Sequence, residues 1–548
     1  MKKFLLAGAS AVTLIASANA QAADYSTPTS TYTMPVKARG ACDPYVNYSC
    51  LDAYLGDNVA ERFLNYYRLE WGHDAAPSDP KAPEGRRAEW PPTPMTTPPM
   101  PFTEWPYGGT TNLGVTRPAS IDSPLMVAIA HTAPGNWMAE NHIQIYGWVD
   151  PGANLSTNSV KPGGNAPAAY SYTPNTVQLD QAVIYIERLP DTVQKDHIDW
   201  GFRLSGIYGE NYRYTTAYGL FSNQLLKNNA VNGFDMPMMY GEVFIPQVLS
   251  GLNVRVGRFI SIPDIEAQLA PNNYMYSHSM TYTFDNYTNT GIQTTLAVNK
   301  NIILQGGVTV GTEAMPWHAG ARIVNPFPNP VYPDTTMLKD PGAQPSLTAG
   351  IRLTSDSGND SINLVADGIN SGVWGYNNLQ WLGGTYYHKF NDQWHVSLEA
   401  YQLSQRKVLN ISDPLGIIAN GGFPFNATQT PFNAPGFATC SNPTEVTCTA
   451  RAVAALMYVN YKATPLDNLS YRIEWYDDQE GQRTGTKTRY VETGFGWQHW
   501  WSPQIEVRPE ISYYRSLDAP AFNGNSNAGI APTKSYAWIA SSDIIIHF

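Results

Sequence analysis

Ten charged residues are distinguished by their positions. Arg203, Arg255, Arg352, Arg472 and Arg508, with Glu474, Glu506 and Glu510, fall on the polar face of stretches whose alternate positions are apolar. Asp264 and Glu266 lie beside Pro263, ahead of an aromatic run that includes Tyr274, Tyr276, Tyr282 and Phe284. Opposed arginines and carboxylates perform no covalent chemistry. Set across a narrow aqueous gap, they create a transverse field that orders polar solutes and water. The expectation is an electrostatic constriction, in which Asp264 and Glu266 of a loop face the wall arginines. The competing expectation is a loop packed on an outer rim above solvated wall charges.

Covalent chemistry has weaker support. His278 sits between Ser277 and Ser279, but adjacent residues seldom aim a nucleophile and its base at one another. The sequence contains no G-x-S-x-G, H-E-x-x-H or Walker pattern, and its ten histidines show no ligand-like clustering. Cys42 with Cys50 and Cys440 with Cys448 form two pairs, each eight residues apart. In an oxidising compartment two local disulfides are expected, and the spacing does not resemble a zinc site. The chain is therefore expected to be no enzyme, with no cofactor and no metal.

The elements that carry the charges are strands. In 252–259, Leu252, Val254 and Val256 alternate with Asn253 and Arg255; in 468–478, Tyr471, Ile473 and Trp475 alternate with Arg472, Glu474 and Tyr476. In 503–515, Ile505, Val507 and Ile511 alternate with Glu506, Arg508 and Glu510. Such a period of two gives each strand one oily and one wet face. The same pattern predicts strands at 143–149, 177–187, 197–208, 239–245, 289–298, 301–310, 347–354, 361–368, 380–390, 393–404, 450–462, 489–500 and 534–548, sixteen in all. The links alternate long and short, as outer loops and periplasmic turns do in an antiparallel transmembrane β-barrel. A charge on the lipid face near the midplane costs roughly 2–4 kcal/mol for Arg or Lys, so the charged face must be the inner one. A barrel of this size leaves an aqueous channel instead of filling itself with side chains.

The chain opens Met1-Lys2-Lys3, followed by an apolar stretch and Ala18-Asn19-Ala20. This reads as a signal peptide over 1–20. Its last strand ends on Phe548, which reads as an outer-membrane assembly signal. Residues 21–142 lack β alternation. Leu51, Leu55, Val59 and Phe63 predict an amphipathic helix within 51–70, and the Pro-rich stretch 77–106 carries Trp90, Phe102 and Trp105. This extension is expected to be either a periplasmic tail or a segment tucked into the barrel mouth. Only 14% of residues are charged and 12% are aromatic, with 34 Tyr and 15 Trp, which suits lipid-facing strands with interfacial girdles. The formal net charge of −11 becomes −13 without Lys2 and Lys3, and argues against nucleic acid as a partner.

The segment G-R-F-I-S-I-P-D-I-E-A-Q-L-A-P-N-N-Y-M-Y-S-H-S (257–279) resembles the OmpL-like β-barrel porins, as do Y-G-W-V-D-P-G-A-N-L-S-T-N (146–158) and N-T-G-I (289–292). The likeness extends over most of 140–548 and implies an outer-membrane channel without catalytic residues. Together, residues and resemblance predict an all-β chain: signal peptide 1–20, extension 21–142 and barrel 143–548. Its partners would be outer-membrane lipid and small polar solutes, and strand number argues by analogy for a homotrimer. The alternative is a plugged or closed barrel acting as a surface receptor or adhesin.

Overall fold

The structure is a computed structural model. It describes residues 55–71 and 123–548, apart from 193, 227, 229, 263, 319–341, 375–377, 392, 413–435, 465–466, 503 and 526–529. The expected signal peptide, the Pro-rich stretch, Cys42 and Cys50 lie outside the described residues. The chain divides into two compact units, residues 1–88 and 89–548. In the first, helix α1 spans Val59–Trp71. Asn58 caps it, its Oδ1 accepting from the Glu61 N–H at 3.0 Å.

The second unit is a closed antiparallel barrel of sixteen strands. They are β1 Ile143–Ser156, β2 Val177–Arg188, β3 Asp199–Gly209, β4 Gly233–Ile245, β5 Leu252–Ile260, β6 Thr288–Ala297, β7 Ile302–Thr312 and β8 Ser346–Thr354. There follow β9 Asp360–Ile369, β10 Gln380–Lys389, β11 Trp394–Leu409, β12 Thr447–Thr464, β13 Asp467–Asp478 and β14 Thr488–Ser502. β15 has two parts, Ile505–Val507 and Glu510–Ser516, and β16 is Tyr536–His547. Both parts of β15 pair with β14 on one side and β16 on the other. The break falls at Pro509, which has no N–H to give to a ladder.

Each strand pairs with its sequence neighbours, and β16 returns to β1, with Val149 opposite Ile546 and Asp543 opposite Gly152. Gly147 and Phe548 exchange backbone hydrogen bonds at 2.9 and 2.8 Å and complete the seam. Closure leaves no unpaired edge within the lipid, where each lone backbone group would cost several kcal/mol. Below the seam β1 runs past β16. There helix α2, Pro124–Ile129, covers the exposed edge: Ser123 Oγ donates to the Ile145 carbonyl at 2.7 Å, and the Ile145 N–H meets Met126 Sδ at 3.4 Å. Helix α3, Ala133–Glu140, then leads into β1.

The two faces separate as the alternation requires. Tyr471, Ile473 and Trp475 are exposed on the outside of β13, while Arg472, Glu474 and Tyr476 are buried inside. Trp200, Trp394 and Trp501 are exposed near the turn ends of their strands, and Tyr208, Phe234 and Trp538 near the loop ends. Trp200 and Tyr208 are eight residues apart on β3, about 26 Å of strand at 3.3 Å per residue, which matches two aromatic girdles flanking an apolar band.

Most expected strands coincide with observed ones. The two largest departures involve proline. The expected strand at 239 starts at Gly233 instead, and the one expected to end at 149 continues to Ser156. Register shifts accompany both, between Ser205 and Ile207 opposite the Pro237 segment and between Asp150 and Pro151. Bulges at these points absorb the missing donors.

Candidate functional site

The third outer connection, residues 261–287 between β5 and β6, is buried almost throughout and folds into the barrel. It contains a 3-10 turn, Ala270–Asn272, and a short helical turn, Met280–Thr283. Its path is set from within. Asn273 Oδ1 accepts from the Ala267 N–H at 2.9 Å, and its Nδ2 donates to Ala267 O at 2.7 Å and Leu269 O at 3.1 Å. Ser279 caps the helical turn, accepting from the Tyr282 N–H at 3.0 Å.

Far-wall side chains grip this loop. On β13, Arg472 donates to the Ser277 carbonyl at 2.8 Å and to Ser277 Oγ at 2.7 Å. The same guanidinium binds both oxygens of Glu492 on β14 at 3.1 Å, and reaches Glu266 and Glu510 at 3.5 Å. Glu474 accepts from the Met280 and Thr281 N–H groups at 2.8 and 2.9 Å, satisfying the start of the helical turn. Glu510 accepts from the Ser277 N–H at 2.9 Å and from its hydroxyl. Arg508 pairs with Asp543 and donates to the carbonyls of Ala270 at 2.5 Å and Asn273 at 2.9 Å. On the β2 side, Gln181 donates to the Gln268 carbonyl at 3.1 Å, and Tyr276 donates to Asp180 at 2.9 Å. The loop thus crosses the interior and is held at both β2 and β13–β15.

The expected site residues do not all meet. Glu266, Arg472, Glu474, Arg508 and Glu510 belong to the loop–wall contact. Glu266 also accepts from Ser279 and Tyr458 hydroxyls. Arg203 and Arg255 bond elsewhere: Arg203 to Glu187 at 2.7 Å, between the rings of Tyr185 and Tyr240, and Arg255 to Glu242 at 3.1 Å, over the Tyr240 ring. Glu506 accepts from Gln498 at 2.5 Å and contacts His547 at 3.1 Å near the turn end of the barrel. Arg352 is half-exposed on β8. Asp264 meets no arginine. It lies with Asp285 and Glu399, and burial, with Glu266 and Asp367 nearby, pushes it up to about 7.

Several participants carried no sequence signal of their own. Tyr458, Asp285 and Arg258 are among them; Arg258 chelates Asp235 with both Nη groups at 2.9 Å. Ser277 and Ser279 direct their hydroxyls to Glu510 and Glu266, and neither donates to His278. His278 instead stacks on Tyr170, ring centroids 3.6 Å apart, with Nε2 2.6 Å from the Ala267 carbonyl; burial holds the ring neutral. Tyr170 reaches in from the first outer loop, its hydroxyl donating to Gln268 at 2.6 Å and its ring stacked on Tyr214 at 4.4 Å. Of the expected disulfides, Cys440–Cys448 is formed.

The family comparison agrees with this architecture. Residues 142–548 match the model of the family described as "Putative beta-barrel porin-2, OmpL-like". A search of curated proteins gave no match. Among solved structures, an anion-selective porin from Comamonas acidovorans aligns at 10% identity and TM-score 0.42, covering 74% of this chain and 99% of its own. The outer membrane channel DcaP of Acinetobacter baumannii aligns at 9% and 0.40, covering 74% and 97%. A loop-deleted OmpT, an outer membrane protein of Vibrio cholerae, aligns at 9% and 0.39, covering 74% and 99%. With its closed sixteen-stranded barrel and a family match spanning every strand, this chain belongs to the OmpL-like β-barrel porins of the bacterial outer membrane.

Proposed function

We propose that this porin passes small hydrophilic solutes or ions down their gradients, with loop 261–287 as its constriction. The observation that carries this reading is the anchoring of that loop to the opposite wall by Arg472, Glu474, Arg508 and Glu510. A loop fixed at both sides narrows the lumen to a defined aperture without moving parts. Around Arg472, the carboxylates of Glu266, Glu492 and Glu510 face a single guanidinium. That local acidic excess favours cations over anions. On this reading residues 1–20 are a cleaved signal peptide, residues 21–142 an N-terminal extension, and the assembly a homotrimer.

A second reading has one observation behind it. Tyr170 and Tyr214 of the first two outer loops are buried over the third, as a barrel closed at its outer mouth requires. Such a barrel would serve as a surface receptor. Planar-bilayer recordings of the processed protein separate the two. Stepwise conductance, with a reversal potential of cationic sign under a potassium chloride gradient, supports the porin. Silence from a folded, heat-modifiable barrel rejects it in favour of the receptor.

A further inference from the structure

At one point the inward loop meets the wall through carboxyl groups that have no cationic partner among the described residues. Asp264 lies near the start of the loop, Asp285 near its end, and Glu399 projects inward from β11. Each offers an oxygen, and these oxygens all lie within 4.8 Å of one another. The three side chains are 1%, 0% and 2% exposed. Both oxygens of Asp264, both of Asp285 and Oε1 of Glu399 lack a hydrogen-bond partner. Only Glu399 Oε2 has one, the Ile265 N–H at 2.9 Å. Among the described residues no arginine or lysine pairs with these carboxylates. Arg483, which reaches this end of the loop, donates instead to the backbone carbonyls of Phe284 at 3.0 Å and Asp285 at 3.3 Å.

The contrast with the arginine-bound carboxylates is informative. Glu492 is paired with and hydrogen-bonded by Arg472, and Asp543 by Arg508. Three carboxyl groups converging with their acceptor oxygens unfilled offer a set of oxygen ligands suited to a cation. We propose that Asp264, Asp285 and Glu399 bind a divalent cation of the hard, oxygen-preferring class, which clips both ends of loop 261–287 to the β11 wall.

The donor set contains oxygen only, with no imidazole or thiolate, which selects calcium or magnesium over zinc or copper. Calcium binds oxygen at about 2.3–2.6 Å, so ligands on opposite sides of the ion lie about 5 Å apart, matching the observed span. Three carboxylates do not fill its shell. Asn286, next to Asp285 in the chain, is also buried with its Oδ1 lacking a donor, and water would complete the shell. The inference concerns how the loop is fastened and does not depend on conduction.

The test uses full-length processed protein, refolded in nonionic detergent free of lipopolysaccharide and stripped with a chelator. Calorimetric titration with calcium chloride should show one ion bound per chain, with Kd roughly between micromolar and millimolar. Asp285→Asn and Glu399→Gln should each weaken binding at least tenfold, while removing the repulsion that destabilises the stripped barrel. Calcium should accordingly raise the melting temperature of the wild type but not of either variant. Terbium offers a readout without mutation: its emission, sensitised by Tyr401 and Tyr476 beside the cluster, should be quenched by added calcium. No saturable binding to a heat-modifiable barrel, or undiminished binding in both variants, would overturn the assignment. A magnesium titration that saturates at the same site with the same variant losses would uphold it.

Discussion

Arg472 and Glu492 form a two-pronged ion pair across β13 and β14, Nε and Nη2 each 3.1 Å from a carboxylate oxygen, and the remaining Nη1 holds the Ser277 carbonyl of the inward loop at 2.8 Å. The arginine therefore joins two neighbouring wall strands to a segment that arrives from another part of the barrel. Its planar fork makes this geometry; a lysine offers a point charge without the paired donors.

Replacing it tests the junction. Arg472→Met leaves Glu492, Glu266 and Glu510 buried without their cation, and should destabilise the barrel by about 3–5 kcal/mol in urea unfolding. Arg472→Lys should recover part of the stability, yet leave more current noise than the wild type, because the grip on Ser277 loosens. Equal noise in both proteins would show that the loop does not rely on this residue.

Glu474 acts more locally. Its two oxygens satisfy the N–H groups of Met280 and Thr281 and the Thr281 hydroxyl, as a capping carboxylate does at a helix start. Glu474→Ala should cost about 1–2 kcal/mol. Hydrogen exchange should accelerate at residues 280–283 and stay unchanged in β13's ladder with β12. Uniform acceleration would mean that Glu474 supports the wall and not the loop.

The wall was legible because its cause is local. Lipid on one side and polar interior on the other force a period of two, so β5 and β13 were readable to within a residue or so. Pro237 and Pro151 obscured their strands because a bulge, invisible in sequence, absorbs each of them. The inward loop was legible as a loop bearing acids. Its contacts were not, because Glu266 finds Arg472 206 positions further along the chain. Asp264 and Glu266 differ by two positions, yet one joins a carboxylate cluster and the other an arginine. That divergence depends on the loop's path, which Asn273 and Ser279 fix through hydrogen bonds no spacing rule anticipates. Asp285 sat among aromatics and gave no sign of its role.

The outer mouth should respond to pH. Glu210 follows β3 directly and is buried, and burial pushes it up to about 7 from an ordinary 4.5, against the lowering influence of Arg213 and the Tyr214 hydroxyl. Asp180 from β2 and Tyr170 from the first loop also face it. A carboxyl raised in the folded state binds its proton more tightly there than when unfolded. Its contribution is therefore full below 4.5, is lost as pH rises to about 7, and is flat above that, up to about 3 kcal/mol in all. The Tyr170 N–H, which donates to the Tyr214 hydroxyl at 3.2 Å, should lose protection over this window after correction for intrinsic exchange. Glu210→Gln should flatten the change. A wild-type profile already flat from pH 5 to 8 would place the charge elsewhere.

The outward face provides the last test, because lipid and water penalise the same substitution differently. Ile473 lies midway along β13, 36% exposed, between inward Arg472 and Glu474. On a water-facing sheet, Ile473→Arg would cost little, since an exposed arginine stays hydrated. At the depth of a bilayer midplane it should cost roughly 2–4 kcal/mol. Refolding the variant in phospholipid vesicles and in detergent, and comparing urea midpoints with the wild type, resolves the two environments. The penalty should be larger in vesicles, because arginine near a micelle surface reaches water more easily. An equal and negligible cost in both would mean that β13's apolar face does not contact the hydrocarbon core.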